Sequence, residues 1–344
     1  MLEMNKNFFR WFCHKWKESP LFSTAIALII MVILQTLVLG FNYDSFGSWF
    51  QSWINNWINI LRNNAGIGII ALGMTFVIMT AGIDLSVGST LVATGAFAMI
   101  LLDTGSKGLL AQIGITGIPA YLIAVLLVLV FGYLLGSLIG VTITKGKTPP
   151  FIITLGAMMI FRSVTQQFMQ GYNPTVPMDF LQVSNLSIGG YLIMPILYWA
   201  IIAYILYYVS KRTVFGRQVI AVGSNEKSAK LSGVNVDKIK VRVYALMGIL
   251  VSIAAILQVT RIGSMDFANA GRGAEMDAIA AAVVGGTSLM GGRGFIIGTI
   301  YGMLIIAVMN NLLNLFGVPP FLREAFKGII VIGAVLLQRK EKSA

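Results

Sequence analysis

Apolar runs recur from one end of this chain to the other, each about 20 residues long and so able to cross a hydrocarbon core about 30 Å thick. A water-soluble fold would have to hide all of them. The chain is 57% hydrophobic and only 11% charged, with a mean hydropathy of +0.82, whereas soluble domains carry about 25% charged residues. A membrane β-barrel reads as alternating segments of roughly ten residues, but these runs are continuous and rich in Gly and Ala. The expected fold is all-α: a polytopic transmembrane helical bundle.

Ten spans are expected: 21–41, 64–81, 87–102, 119–144, 151–169, 191–210, 243–262, 278–289, 295–315 and 321–338. The first run is longer than a secretory h-region and no A-x-A-like site follows it, so it reads as a retained span. After it comes a segment with five aromatics, Phe46, Trp49, Phe50, Trp53 and Trp57, suited to lying in the headgroup region. Spans two and three flank a polar break, Gly82-Ile83-Asp84-Leu85-Ser86, and spans eight and nine flank Gly291-Gly292-Arg293-Gly294. These two broken helix pairs resemble each other weakly. They are either an internal repeat of the kind that brings interrupted helices together near the midplane, or two unrelated Gly-rich turns.

The net charge of +12 sets topology and does not mark a nucleic-acid partner. Of the 25 basic residues, 18 fall in five zones: 1–20, 145–147, 211–242, Arg293 and the tail 339–344. Such clustering places those zones in the cytoplasm. An even number of spans returns the C-terminus to the side of the N-terminus, and both ends are basic. The expected division is a cytoplasmic tail 1–20, a membrane domain 21–338 containing the cytoplasmic segment 211–242, and a cytoplasmic tail 339–344.

Asp84 is the acid expected nearest membrane depth, where an ionised carboxylate is costly and faces a cavity or a partner. With Ser86 and Ser89 it either binds a hydroxylated solute or shapes the broken backbone, capping the third span. Thr287 and Ser288 supply hydroxyls at the second break. Asn310 and Asn311, with Asn314, form a polar cluster late in the ninth span, lining a pathway or gluing helices. Gly132, Gly136 and Gly140, like Gly294, Gly298 and Gly302, repeat every four residues and mark close helix packing.

No enzyme constellation appears. The single Cys13 and single His14 exclude an intrachain disulfide and argue against a metal cluster. Gly140 to Thr148 imitates a P-loop, but its glycines are six apart where five is required, and it follows a membrane helix. Neither cofactor nor ATP site is expected. Segment 211–242 is too short for a core of its own; 229–233 suits a short helix ended by glycine, and the segment is expected to dock a partner.

Five stretches, taken in order, resemble the membrane permeases of ribose- and galactoside-type ABC sugar importers, within the wider branched-chain amino acid/ribose permease group. They are Ala81 to Gly88, Pro149 to Gly156, Gly216 to Val236, Met276 to Gly294 and Gly317 to Phe321. Met276 stands where the pattern often has Leu. The resemblance implies a homodimer or pseudo-dimer in the bacterial inner membrane. An ATPase subunit would dock on the cytoplasmic side and a sugar-binding protein outside. By that likeness Asn225, Glu226, Ala229, Ser232 and Gly233 lie on the helix that grips the ATPase, and Arg272 and Arg323, at external helix ends, meet the binding protein or simply sit at the interface. A nucleoside or other furanose is the neighbouring substrate; an ATP-independent secondary transporter or channel is the rival class.

Overall fold

The computed structural model describes residues 20–41, 43–105 and 107–340, and all its regular elements are helices apart from one isolated bridge between Ile188 and Tyr191. Most of the N-terminal basic tail, with Cys13 and His14, lies outside the described residues, as does Lys342. Fourteen helices follow in order: α1 Pro20–Leu39, α2 Phe46–Met79, α3 Val87–Leu102, α4 Leu109–Gln112, α5 Gly117–Gly146, α6 Pro150–Met169, α7 Met178–Asn185, α8 Met194–Arg212, α9 Val214–Ser224, α10 Glu226–Leu231, α11 Val236–Ile262, α12 Ala274–Val284, α13 Ile296–Leu315 and α14 Pro320–Lys340. Each of the ten expected apolar runs overlaps a helix. Six of these helices are long and apolar enough to cross a membrane: α1, α2, α5, α8, α11 and α13.

Two expectations are corrected. The aromatic stretch before the second span is not set apart from that span but is the first third of α2, which runs unbroken for 34 residues. Ser45 and Ser48 form a reciprocal capping box at its start, and no proline interrupts it afterwards. Its rings stack at successive turns, Phe46 on Phe50 at 6.0 Å and Phe50 on Trp53 at 6.2 Å. Trp53 also donates its indole N–H to Thr36 of α1 at 3.0 Å. The eighth run is likewise not a full span. Helix α12 has 11 residues, roughly 16 Å at about 1.5 Å per residue, which is half of a hydrocarbon core.

Helices α2 and α11 form the centre, with Ile69, Ile70, Leu72, Phe76, Val243, Met247 and Val251 buried. In lipid, apolar burial gives helices no reason to associate, so close approach of small residues must supply it. Gly132 packs on the Gly248 backbone, Gly136 on the Tyr244 carbonyl and Gly140 on Val241, so α5 lies directly against α11. Gly298 meets Gly285 and Gly302 meets Ala281 in the same way, seating α13 on α12. Gly294, expected to share that face, precedes α13 and packs on Met79 instead. Lys327 of α14 pairs with Asp277 of α12 at 2.9 Å.

At the far end of α3, Asp103 accepts hydrogen bonds from the Tyr172 hydroxyl at 2.7 Å and the Thr175 N–H at 2.9 Å, joining two loops. Burial pushes this carboxyl up, but the bonds from Tyr172, Thr175 and Gly105 outweigh it and hold it below the usual carboxylate range.

Replacing Gly136 by Val drives a side chain into the Tyr244 backbone and should cost about 2 kcal/mol or more. The same change at Gly156, where an added Cβ would meet nothing within 4 Å, should be silent. Thermal melts of both variants in detergent check this; equal stability would contradict the packing.

Candidate functional site

The two breaks and the segment 211–242 come together at one junction. The first break leaves α2 through Ala81, whose φ of +59° turns the chain back, and Gly82 then returns along α2, its N–H donating to Val77 at 3.1 Å. The Ile83 carbonyl accepts from the Tyr244 hydroxyl of α11 and the Thr154 hydroxyl of α6, both at 3.3 Å. Tyr244 is the ninth residue of α11, about 12 Å above its start, so the break lies inside the bundle and not at its rim. The second break turns on Gly286, Gly291 and Gly292, all with positive φ. The Gly292 N–H donates to the Met79 carbonyl at 2.9 Å, which joins the two breaks directly. Gly223, near the end of α9, packs against the Met79 carbonyl and the Gly292 nitrogen, where no larger residue fits.

Asp84 is 3% exposed and accepts from the Ser86 N–H at 2.9 Å and the Ser86 hydroxyl at 2.6 Å. Ser86, not Asp84, is the N-cap residue of α3. Asp84 thus makes an Asx turn two residues ahead of the helix, and Ser89 closes the first turn by donating to the Ser86 carbonyl at 2.7 Å. Thr287 is buried and Ser288 half-buried, its N–H donating to Arg293 at 3.0 Å.

Asn310 and Asn311 are not part of this junction. They lie fourteen or more residues along α13 from its start, roughly 20 Å away. Asn311 donates to Asn56 of α2 at 3.3 Å, a bond between α13 and α2. Sequence reasoning also missed Gln35 of α1, which is fully buried. One Gln in an apolar run was the available signal.

A further discontinuity, ahead of the second break, was not visible in the sequence. Segment 263–273 folds back from the end of α11, and Gly271 packs on the backbone of Gly88. The N-termini of α3 and α12 therefore meet there, with Glu275 beside Gly88. Arg162 of α6 holds the returning segment by donating to the Ala270 carbonyl at 2.6 Å. Arg272 is exposed on this segment. Arg323 donates to the Val318 carbonyl and to Asn314, both at 2.9 Å, so it caps the end of α13. Gly273 lies against Glu324, so the two arginines belong to neighbouring segments.

In the segment 211–242, Thr213 caps α9 by accepting from Gly216. Gly216, Val219 and Val222 bury one face of α9, and Phe215 stacks on Phe76 at 6.1 Å. Asn225 caps α10, accepting from the Ser228 N–H at 3.0 Å, and Glu226 pairs with Lys240 of α11 at 2.7 Å. Ala229 is buried at 5%, turned toward the bundle. Ser232 donates to the Ser228 carbonyl at 3.0 Å, and Gly233 ends the helix with φ of +81°. Leu231 is the most exposed large hydrophobic side chain among the described residues, 89% exposed and flanked by lysines at 227 and 230. Sequence reasoning passed over it, although a lone Leu beside lysines in a short polar helix was a visible signal.

Asp84→Asn keeps an acceptor oxygen and should preserve both the turn and thermal stability. Asp84→Ala loses the turn and should cost about 1–2 kcal/mol. Melting curves distinguish them, and an Asn variant as unstable as the Ala variant would show that the charge itself is needed.

Comparison with known proteins places this geometry. The family model described as branched-chain amino acid transport system / permease component matches residues 56–335. The chain is 40% identical to the ribose import permease protein RbsC of Haemophilus influenzae, covering 90% of each chain. It is 38% identical to the RbsC of Escherichia coli K12, covering 97% of each. To the RbsC of Bacillus subtilis it is 41% identical, over 83% of this chain and 84% of that one. No solved structure matches. This chain belongs to the family of branched-chain amino acid transport system permease components.

Proposed function

We propose that the chain is the membrane permease subunit of an ABC importer and forms the passage for a monosaccharide of the ribose class. The observation that carries this reading is the 38–41% identity, over most of both chains, to proteins named as ribose import permeases. A protein named as a fructose import permease, from Rhizobium meliloti, is 32% identical over 95% of this chain, which keeps the substrate among small sugars. The chain sits in the inner membrane as a polytopic helical bundle with both termini in the cytoplasm, and pairs with a second permease chain. A binding protein delivers the sugar from outside, with Arg272 as the more accessible of the two candidate contacts.

A separate ATPase docks on α9 and α10. Support for this comes from chemistry: Leu231, 89% exposed among lysines, is an apolar side chain that a partner surface would desolvate. Asn225 and Gly233 set the shape of α10, Ala229 seats it, and Glu226, Ser232 and Leu231 present its outer face. Because Gly223 touches both breaks, a push on α9 reaches the backbone around Asp84 with no intervening flexible linker. ATP-driven closure needs only to favour one facing state by differential contact there.

Uptake of labelled ribose by proteoliposomes holding the permease, its ATPase and its binding protein should require ATP. Uptake that persists without the ATPase would end this reading. Leu231→Asp should lower ATPase co-purification roughly tenfold while the permease stays monodisperse. Gly233 is the poorer probe, since its positive φ strains any replacement whether or not it docks.

A further inference from the structure

A groove of about 450 Å³ runs between α8 and α13, with Leu61 of α2 also lining it. Its walls are almost wholly apolar, from Ile196, Ala200, Ala203 and Tyr207 on α8 and Ile297 and Ile300 on α13 among others. Along α8 it extends from Ile196 to Tyr207, roughly 17 Å at about 1.5 Å per residue, close to half of a hydrocarbon core about 30 Å thick. That is long enough to take an acyl chain.

One end of the groove is cationic. Phe295 immediately precedes Ile296, a groove residue. Its ring is approached by the Lys211 ammonium at 5.6 Å from the centroid and by the Arg293 guanidinium at 5.5 Å. Lys211 is one turn beyond Tyr207, and both cations are exposed. Neither forms an ion pair among the described residues. The α8 C-terminus attracts a cation such as Lys211 on its own account, but that does not explain Arg293, which arrives from the second break. Two like charges sharing one ring, with no carboxylate paired to either among the described residues, form a site for an anion at the mouth of an apolar channel.

We infer that this groove is a binding site for an anionic phospholipid of the leaflet on the Lys211 side, its acyl chain along α8 and its phosphate between Lys211 and Arg293. Basic pockets between membrane helices bind anionic headgroups by this chemistry. The acyl channel distinguishes a lipid from a free phosphate, which has no use for it. Arg293 follows Gly292, whose N–H holds Met79, so the bound headgroup touches the loop that joins the two breaks.

The test uses the full-length chain, delipidated in mild detergent, with phosphatidylglycerol and phosphatidylcholine as probes and native mass spectrometry as the readout. Wild-type protein should retain phosphatidylglycerol over phosphatidylcholine, and inorganic phosphate should not displace it. Lys211→Ala with Arg293→Ala should bind phosphatidylglycerol roughly 30-fold more weakly. Arg217→Ala, an equally exposed cytoplasmic-segment cation outside the groove, should bind as wild type. Ala200→Trp, which fills the groove and leaves both cations, should also lose the lipid, and it serves where the double variant folds poorly. Retention by the double or the Trp variant overturns the proposal. So does an equal loss in Arg217→Ala, which would mean diffuse attraction to a basic surface.

Discussion

A bilayer offers no water to a peptide group that has lost its helical partner, and that constraint governs how this chain is built. Two of its helices stop inside the bundle, so the backbone freed at each stop has to be met by protein. The solution is mutual. The carbonyl that ends α2 is met by an amide of the other break, and the Ile83 carbonyl is met by hydroxyls from two further helices. The interruptions are therefore not loose ends but the place where α2, α6, α9, α11 and the approach to α13 are tied.

The glycines serve the same constraint from another side. Where helices must be held without a hydrophobic drive, contact between backbones replaces it. The α5 stripe on α11 and the α13 stripe on α12 both use carbonyls and Cα atoms that a side chain would displace. At Gly88 and Gly271 the same closeness brings two helix N-termini together. Their dipoles both present positive ends there, and Glu275 stands beside them as the complementary charge.

Much of this was legible in the sequence because it is carried by local pattern. Apolar runs gave the helices, glycine spacing gave the packed faces, and the Gly-Ile-Asp-Leu-Ser stretch announced an interruption. What was not legible depends on contacts distant in the chain. Segment 263–273 contains nothing that marks it as folding back into the bundle, since its position is set by Gly88 and Arg162, far away in sequence. The run 278–289 has the hydropathy of a span, but its helix stops at Val284, where Gly285 lies against Gly298 of α13 and Gly286 turns the chain with a positive φ. Asp84 is buried at the first break, yet its office as the head of an Asx turn follows from where Ser86 points. The five residues assigned to α10 divide by orientation into cap, seat and outer face, a distinction that composition does not hold. The docking, pathway and binding-protein roles belong to the proposed function, and the fold supplies the positions from which they would act.

The unbroken length of α2 has a mechanical consequence. With 34 residues and no proline, it measures about 51 Å at about 1.5 Å per residue, and straight helices without such breakers bend only gently. Such a rod behaves as a lever. Pivoting it by about 5° at Met79 would sweep its aromatic tip sideways by about 4 Å, so a small angular change at the buried knot becomes a visible stroke at the opposite surface.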